Sequence, residues 1–199
     1  MEKLEFRVTF HTAYAVNQQS MVPGSVLKGL MLDAARDLGL TSPLLWPKVR
    51  AVFGGFAREN ELAGPTLPSP WAWSDLQFEQ EASLRNRSRI RVDANTGTVA
   101  DGAIVQVNEF GGQSLSGVFT VEQIGQVPQL GDSSDLTVKD HLVILEATAR
   151  TVTGLGGSRR RGLGWVSVTR TDDGTDSAGR IKNLASEFKK LCQTNGGRI

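Results

Sequence analysis

The chain opens with a regular alternation of apolar and polar residues. Between residues 4 and 10 every second side chain is apolar, which is typical of a strand with one buried face. A polar loop over 11–21 follows, and the Pro23-Gly24 pair ends it. Apolar residues then recur at helical spacing over 26–38, and Ser25 is well placed to cap that helix. The N-terminal part of the chain is therefore predicted to form a strand, a loop and a helix.

The middle of the chain has a different pattern. Prolines and glycines interrupt residues 40–70, so only one short helix near 44–53 is expected there. Over 71–121, short apolar-rich runs alternate with turn signals, of which Asn95-Thr96-Gly97 is the clearest. This region is predicted to be rich in β-strands.

Two further helices and a strand are predicted beyond it. Helical spacing predicts a helix over 136–152, and alternation predicts a closing strand over 165–169. The segment 172–180 is polar, and 181–192 has the pattern of a terminal amphipathic helix. This order of elements indicates an α+β domain with an antiparallel sheet and two helices on one face. A ferredoxin-like arrangement is the leading architecture.

Length and composition are those of one ordinary domain. The chain has 199 residues, of which 39% are hydrophobic, so it can hold a core without disulfides or metal. We expect a single domain over 1–171 with an insertion at about 40–125, followed by a flexible linker and terminal helix over 172–199. One cysteine and two histidines argue against a disulfide framework and a closed zinc site. No metal and no cofactor are expected.

The sequence has no signal for export or membrane insertion. No apolar run approaches the roughly 20 residues that a membrane helix requires. The first residues are charged and then alternate, which is not typical of a signal peptide. A cytoplasmic protein is therefore expected.

Charge is balanced overall but clustered locally. Lysine and arginine total 22 against 21 acidic residues, and the net charge of +1 argues against a protein that is basic throughout. Seven of the fifteen arginines nevertheless fall within 85–91 and 159–161, and neither segment contains an acidic residue. A local basic surface is expected.

In the first basic segment, arginine occupies every second position. If the segment is a strand, alternation places all four arginines on one face, where their mutual repulsion favours a bound anion. An edge strand protected by its charge is the alternative. The four residues are Arg85, Arg87, Arg89 and Arg91.

The second basic segment lies inside a glycine-rich stretch, 154–164. A Walker-type phosphate loop needs a lysine followed by serine or threonine, and neither Gly157 nor Gly162 is followed by that pair. Arg159 stands where a dinucleotide fingerprint needs its third glycine. What remains is backbone that can approach a polyanion, with guanidiniums to hold phosphates, or else a solvated hairpin loop. The candidate binding residues are Gly156, Gly157, Ser158, Arg159, Arg160 and Arg161.

No catalytic constellation is evident in the sequence. Neither His11 nor His141 has a nucleophile or a carboxylate at a recognisable motif spacing. His11 lies where the first strand ends, which makes it a weak catalytic candidate. The four tryptophans are expected in the core or at its rim rather than as platforms for base stacking, unless an exposed pair lies beside the arginines.

Three segments, in order along the chain, resemble the RAMP proteins of CRISPR systems. Residues 22–30, V-P-G-S-V-L-K-G-L, are similar to the opening of the first helix in that family. Residues 88–103, which include R-I-R-V-D-A-N-T-G, resemble a stretch of the backbone subunits of type III effector complexes. The glycine-rich stretch and the Trp165-Val166 pair after it resemble the C-terminal glycine-rich loop of the same superfamily.

The resemblance implies a ferredoxin-like core of the RNA-recognition-motif kind, with a β-rich thumb-like insertion. It also implies assembly with other CRISPR effector subunits along a CRISPR RNA, with target RNA as a second partner. Ser25, Lys28 and the glycine-rich loop would lie against the guide backbone, through contacts that carry no sequence information. His11 and Asn17, in the loop after the first strand, complete the set of RNA-binding candidates.

One departure from the family bears on catalysis. Subunits that cut target RNA carry an aspartate between the first strand and the first helix, but residues 11–21 contain no acid. Asn17 or a neighbour would take that place, and an amide cannot serve as a carboxylate base or metal ligand. The resemblance therefore favours a chain that does not cleave RNA.

Three functions are compatible with the sequence. The first is a non-catalytic subunit of a type III CRISPR effector, which holds guide RNA and the guide–target duplex through backbone contacts. The second is an endoribonuclease of the same superfamily that processes guide RNA with His11 or cuts target RNA. The third is a protein-interaction module whose arginines meet an acidic partner.

Overall fold

The structure, a computed structural model, describes residues 1–16, 21–40, 45–55, 67–111, 114–128, 136–172 and 177–193. One strand and two helices are followed by five consecutive strands, and then by a helix, a strand and a terminal helix. In order, the elements are β1 (Lys3–Phe10), α1 (Gly24–Leu40), α2 (Trp46–Phe53), β2 (Trp71–Trp73), β3 (Gln77–Phe78), β4 (Ser83–Val92), β5 (Val99–Gly111), β6 (Ser116–Gln123), α3 (Val138–Thr151), β7 (Val166–Arg170) and α4 (Ser177–Gln193).

The main sheet is antiparallel, with β1 in its interior. β6 pairs with one side of β1 and β7 with the other, while β2 and β3 both pair with the outer edge of β6. Helices α1 and α3 pack against each other, and α3 also packs on β7 and α4. The predicted α+β class, with helices against an antiparallel sheet, is confirmed.

Alternation along β1 determines which face of the sheet is buried. Phe6 and Val8 are fully buried, whereas Glu5 and Arg7 are exposed. The ring of Phe6 stacks on Phe119 of β6 with the centroids 5.3 Å apart. Burying an apolar side chain of this size stabilises a fold by about 1.5–3 kcal/mol. The helices therefore cover the face of the even-numbered β1 residues, and the opposite face is open to solvent.

The first helix begins earlier than the sequence predicts and is held by a distant residue. Gly24 is its first residue, and the Pro23 carbonyl accepts the first helical hydrogen bonds. Ser25, predicted to be the cap, is instead exposed within the first turn. The carboxylate of Asp75 accepts from the Gly24 amide at 2.8 Å and places negative charge at the positive end of the helix. A Cβ at Gly24 would lie 2.5 Å from the carbonyl oxygen of Trp73, so glycine is required for this approach.

The two later helices are placed close to the predicted positions. Thr137 caps α3, because its hydroxyl accepts from the Asp140 amide while the Asp140 carboxylate accepts from the Thr137 amide at 2.8 Å. The terminal helix α4 starts at Ser177, four residues before the predicted start. The last four residues of the segment predicted as a polar linker, 172–180, are therefore helical.

A buried carboxylate ties α4 to the rest of the domain. Glu146 of α3 is 1% exposed and accepts hydrogen bonds from Arg170 of β7 and Arg180 of α4. Burial alone would raise the pKa of Glu146, but the hydrogen bonds and charges of Arg180 and Arg170 outweigh it and hold the pKa below its usual value. Because removing one partner of a buried ion pair is strongly destabilising, this cluster fixes α4 against α3 and β7.

Strands β4 and β5 leave the main sheet as a two-stranded hairpin. Their pairing is regular from Ser83 to Ile90, and the register shifts between Ile90 and Val92. At the tip, the Asp93 carboxylate accepts from the backbone amides two and three residues further on, which forms the predicted turn. The segment predicted as an insertion covers about 40–125. Of its strands, β4 and β5 leave the main sheet as the hairpin, whereas β2, β3 and β6 are part of the main sheet.

One histidine is part of the core. His141 of α3 is fully buried, and its Nδ1 accepts a hydrogen bond of 3.0 Å from the Trp71 indole. Burial lowers the pKa of His141 to about 4, although the nearby charge of Asp140 opposes the shift. The imidazole is therefore neutral in the folded protein at neutral pH.

The lowered pKa of His141 predicts that the free energy of unfolding decreases in mild acid. The unfolded chain protonates His141 below about pH 6.5 and the folded chain only below about 4, so stability falls as the pH drops through that window. Between pH 7 and 5 the loss is about 2 kcal/mol of unfolding free energy. His141→Gln keeps an acceptor for Trp71 but does not titrate, so urea unfolding should show little of this loss. The matched control, His11→Gln, should retain the full loss; the account is wrong if both variants behave like the wild type.

Candidate nucleic-acid interface

The glycine-rich loop, residues 154–164, connects α3 to β7 in a tightly closed shape. The amide of Leu155 donates to the carbonyl of Gly164 at 2.8 Å, which closes the loop at its base. Gly164 has φ +69°, and a Cβ there would lie 1.9 Å from the Leu155 carbonyl oxygen. Arg159–Arg161 form a short 3-10 turn at the far side of the loop, and all three arginines are exposed. The loop therefore presents three consecutive cations on a constrained backbone.

This loop lies against the segment that follows β1, residues 11–16. The amides of Gly157 and Gly164 donate to the carbonyls of Ala15 and Ala13, at 2.8 and 2.6 Å. The Trp165 amide donates to the hydroxyl of Thr12 at 2.9 Å. Two segments that are about 150 residues apart in the sequence are thereby joined backbone to backbone.

The base of the hairpin is attached to the same segment. Tyr14 and Phe110 of β5 exchange a pair of backbone hydrogen bonds, each 2.8 Å long. The Tyr14 ring packs with the rings of Phe10, Phe78 and Phe110, and the rings of Phe10 and Phe78 pack with each other, at centroid distances between 4.7 and 5.8 Å. Burial raises the pKa of Tyr14 to about 12, so its hydroxyl remains protonated. This aromatic cluster anchors the hairpin on the core of the domain.

A direct polar contact connects the two basic segments. The guanidinium of Arg89 in β4 donates to the hydroxyl of Ser158 in the glycine-rich loop at 2.9 Å. Ser158 has φ +60°, a left-handed conformation that is uncommon for a residue with a Cβ. We refer to residues 11–16, residues 154–165 and the β4–β5 hairpin together as the three-way junction.

A buried acid on the neighbouring strand balances part of the hairpin charge. Glu109 of β5 is 2% exposed and lies 3.1 Å from Arg87 and 3.8 Å from Arg89. The regular pairing places Arg85, Arg87 and Arg89 on one face with Glu109, whereas Arg91 lies at the register shift. The sequence indicated an external anion for these arginines, but Glu109 already supplies one internal counter-charge. Within the described ranges, no carboxylate forms an ion pair with the loop arginines Arg159–Arg161.

A cleft of about 650 Å³ opens beside the loop cations. Trp165 forms part of its wall and is 62% exposed, in contrast to the predicted core or rim position of the tryptophans. Trp71 is buried, and Trp46 and Trp73 are half-buried, as predicted. The lining residues are Thr12, Thr153, Gly154, Arg159, Arg160, Gly162, Leu163, Gly164 and Trp165.

His11 lies next to this cleft on the open face of the sheet. Its Nε2 is 3.0 Å from the hydroxyl of Ser167, and its ring forms a T-shaped pair with the indole of Trp165 at a centroid distance of 6.0 Å. Among the described residues, no group of three or more histidine, cysteine or acidic side chains could hold a metal ion.

Two of the predicted site residues are not brought into this constellation, and a third cannot be placed in or out of it. Ser25 and Lys28 lie in the first turns of α1, and no described hydrogen bond or ion pair joins them to the three-way junction. Burial lowers the pKa of Lys28 below its usual value. Asn17 lies outside the described residues.

Comparison with known proteins identifies the family. The sequence profile of the RAMP superfamily matches residues 8–167. The chain belongs to the RAMP superfamily. The matched range of this RAMP chain begins within β1 and ends within β7, so it includes every segment of the three-way junction. No curated protein sequence matches the chain. Over the part of the RAMP chain that the structure describes, no helix is long and apolar enough to cross a membrane.

Solved structures share the fold of this RAMP chain at low sequence identity. A chain of the type III-B Cmr-beta complex in its apo state, solved by cryo-EM, aligns with a TM-score of 0.59 and 11% identity over 86% of this chain and 98% of that chain. A chain of the type III-B Cmr-beta complex bound to cognate target RNA gives 0.60 and 10% over 87% and 98%. A chain of a type IV-B CRISPR complex gives 0.56 and 13% over 87% and 92%.

Substituting two glycines tests the closed shape of the loop. Gly164→Ala combines a left-handed backbone with a clash against Leu155, whereas Gly162→Ala has φ +80° but open space around the new Cβ. We expect Gly162→Ala to cost roughly 1–2 kcal/mol of unfolding free energy, and Gly164→Ala to cost about 1–3 kcal/mol more because of the clash. Urea titration followed by circular dichroism measures both; equal losses would contradict the tight closure at Gly164.

Proposed function

We propose that this RAMP chain is an RNA-binding structural subunit of a CRISPR effector ribonucleoprotein, which holds guide RNA and the guide–target duplex through backbone contacts. The observation that carries the proposal is the three-way junction. It places the cations of the glycine-rich loop beside those of the hairpin, although the two basic segments are far apart in sequence. Two adjoining basic segments on a protein of net charge +1 are the electrostatic pattern expected for binding a polyanion.

The chemistry of the surface suits phosphates better than bases. Guanidiniums form strong, often bidentate hydrogen bonds with phosphate oxygens. Arg159–Arg161 are exposed and have no carboxylate partner among the described side chains, so their charge is available to a ligand. Contacts of this kind fix the position of a nucleic acid without reading its sequence, as a subunit that must hold any guide requires.

The fold supports this role. The strand order β2-β6-β1-β7, with α1 and α2 between β1 and β2 and with α3 between β6 and β7, is the order expected of a ferredoxin-like core of the RNA-recognition-motif kind. We interpret the β4–β5 hairpin as the thumb-like insertion. The type III-B and type IV-B complexes that share the fold are assemblies of several subunits, one of them with target RNA bound, which supports other effector subunits as partners. We place the assembly in the cytoplasm.

A nuclease function is the second candidate, and one observation favours it. His11 is exposed beside the cleft, where it could reach a bound strand. Its Nε2 is, however, within hydrogen-bond distance of Ser167 rather than of a carboxylate. The loop that follows β1 has no acid at any position of its sequence, 11–21. A binding function without cleavage is therefore the better-supported one.

Removing loop cations should weaken RNA binding and its salt dependence together. Arg159→Ala/Arg160→Ala removes two phosphate contacts, so the slope of log affinity against log salt should fall by ~1.4 for single-stranded RNA. Affinity at physiological salt should fall by about tenfold or more, equally for all sequences. Fluorescence anisotropy with labelled oligoribonucleotides measures both quantities.

The matched control is Lys182→Ala/Lys189→Ala, which removes two exposed cations of α4 and should leave affinity and slope unchanged. Equal losses in the two double variants would mean that binding depends on net charge rather than on the loop. Wild-type protein that binds no RNA and instead captures an acidic protein would favour the protein-interaction function.

The cleavage question has a direct test with His11→Ala. Incubated with guide RNA, Mg²⁺ and an end-labelled complementary RNA, the wild-type protein should leave the label in full-length RNA on a denaturing gel. His11→Ala should leave the label in full-length RNA in the same way. Discrete products from the wild type that disappear in His11→Ala would establish the nuclease function instead.

A further inference from the structure

We propose that Trp165 is a stacking platform for one unpaired base of the bound RNA, so that the surface holds a nucleobase as well as phosphates. The inference rests on the proposed function, because it concerns how RNA lies on the three-way junction. It adds a contact of a different chemical kind at the cleft, beside the loop arginines.

The backbone of Trp165 is held from both sides. Its amide donates to the Thr12 hydroxyl at 2.9 Å, and its carbonyl accepts from the His11 amide at 2.8 Å. The residue also forms a bridge with Gly154 across the base of the glycine-rich loop. The backbone that carries the indole is therefore fixed, so only the side-chain rotamer of Trp165 remains to be ordered when a base stacks on it.

The indole is nevertheless exposed. Val166 and Val168 of β7 point into the core, which turns Trp165 and Ser167 towards the open face of the sheet. The His11 ring and the indole form a T-shaped pair with a centroid distance of 6.0 Å, and they do not stack face to face. Trp165 is 62% exposed, although a large aromatic side chain is usually more stable when it is buried.

The surroundings favour a nucleotide as the partner of this ring. Arg159 and Arg160 line the same cleft as Trp165, so a phosphate and a base of one nucleotide can be bound together. Thr12 and Thr153 also line the cleft, and their hydroxyls are hydrogen-bonding groups that a nucleotide can contact. The volume of about 650 Å³ lies within the range of roughly 300–1,000 Å³ that is usual for small-molecule sites.

Stacking is compatible with a site that accepts any sequence. Every base has an aromatic face, so a tryptophan platform increases affinity without hydrogen-bond readout. The base must be unpaired and unstacked from its neighbours to lie on Trp165. The inference therefore predicts that RNA crosses this part of the junction as a single strand rather than within a duplex.

The experiment compares two probes on the full 199-residue chain, oligoadenylate and an abasic ribose-phosphate oligomer of equal length. Trp165→Ala should weaken binding of oligoadenylate by about tenfold and binding of the abasic probe by less than twofold, by fluorescence anisotropy. Trp165→Phe should restore most of the oligoadenylate affinity. The control Ile124→Ala truncates another exposed apolar residue, 64% exposed, and should change neither affinity.

Tryptophan fluorescence gives a second readout. Oligoadenylate should quench the emission of the wild type, and most of that quenching should be missing in Trp165→Phe. Equal losses on both probes, or wild-type affinity of Trp165→Ala for oligoadenylate, would overturn the stacking inference while the proposed RNA binding stands. Absence of binding of either probe by the wild-type chain would remove the proposed function as well.

Discussion

The backbone contact between residues 11–16 and the glycine-rich loop is the interaction on which the rest of the site depends. The carbonyls of Ala13 and Ala15 accept hydrogen bonds from loop amides, and a Cβ at Gly156 would clash with the Ala15 carbonyl oxygen, so glycine permits this close approach. The loop held in this way presents its three arginines to solvent. The same segment, 11–16, also holds the hairpin through Tyr14, so one short stretch after β1 positions the other two parts of the junction.

The charges of the junction are divided into a balanced part and an unbalanced part. Glu109 is buried and forms ion pairs with Arg87 and Arg89 of the hairpin. Arg89 also donates to the Ser158 hydroxyl, which connects this balanced part to the glycine-rich loop. The loop arginines have no such partner within the described ranges. Neighbouring like charges repel one another, and a bound polyanion relieves that repulsion. The arrangement therefore combines a fixed scaffold with cations that a ligand can neutralise.

Much of the fold was predictable because its signals are local. The alternation in β1 and β7 and the helical spacing in α3 each follow from a few consecutive residues, and three motifs in order predicted the RAMP family, which is confirmed. The contacts that assemble the site are not local. Asp75 caps α1 across 51 residues, and Glu109 meets Arg87 only through the register in which β4 pairs with β5. Alternation put Trp165 and Val166 on opposite faces of the sheet, but it could not indicate that the indole of Trp165 is left exposed.

The central claim is that the glycine-rich loop and the segment after β1 bind RNA as one surface. Amide hydrogen exchange of the chain, with and without a single-stranded RNA, tests it most directly because it reports on both segments at once. The account predicts slower exchange at 11–16 and at 154–165 together on RNA binding, with α4 unchanged. RNA binding that leaves exchange in both segments unaltered, and slows it in α4 or elsewhere instead, would contradict the account.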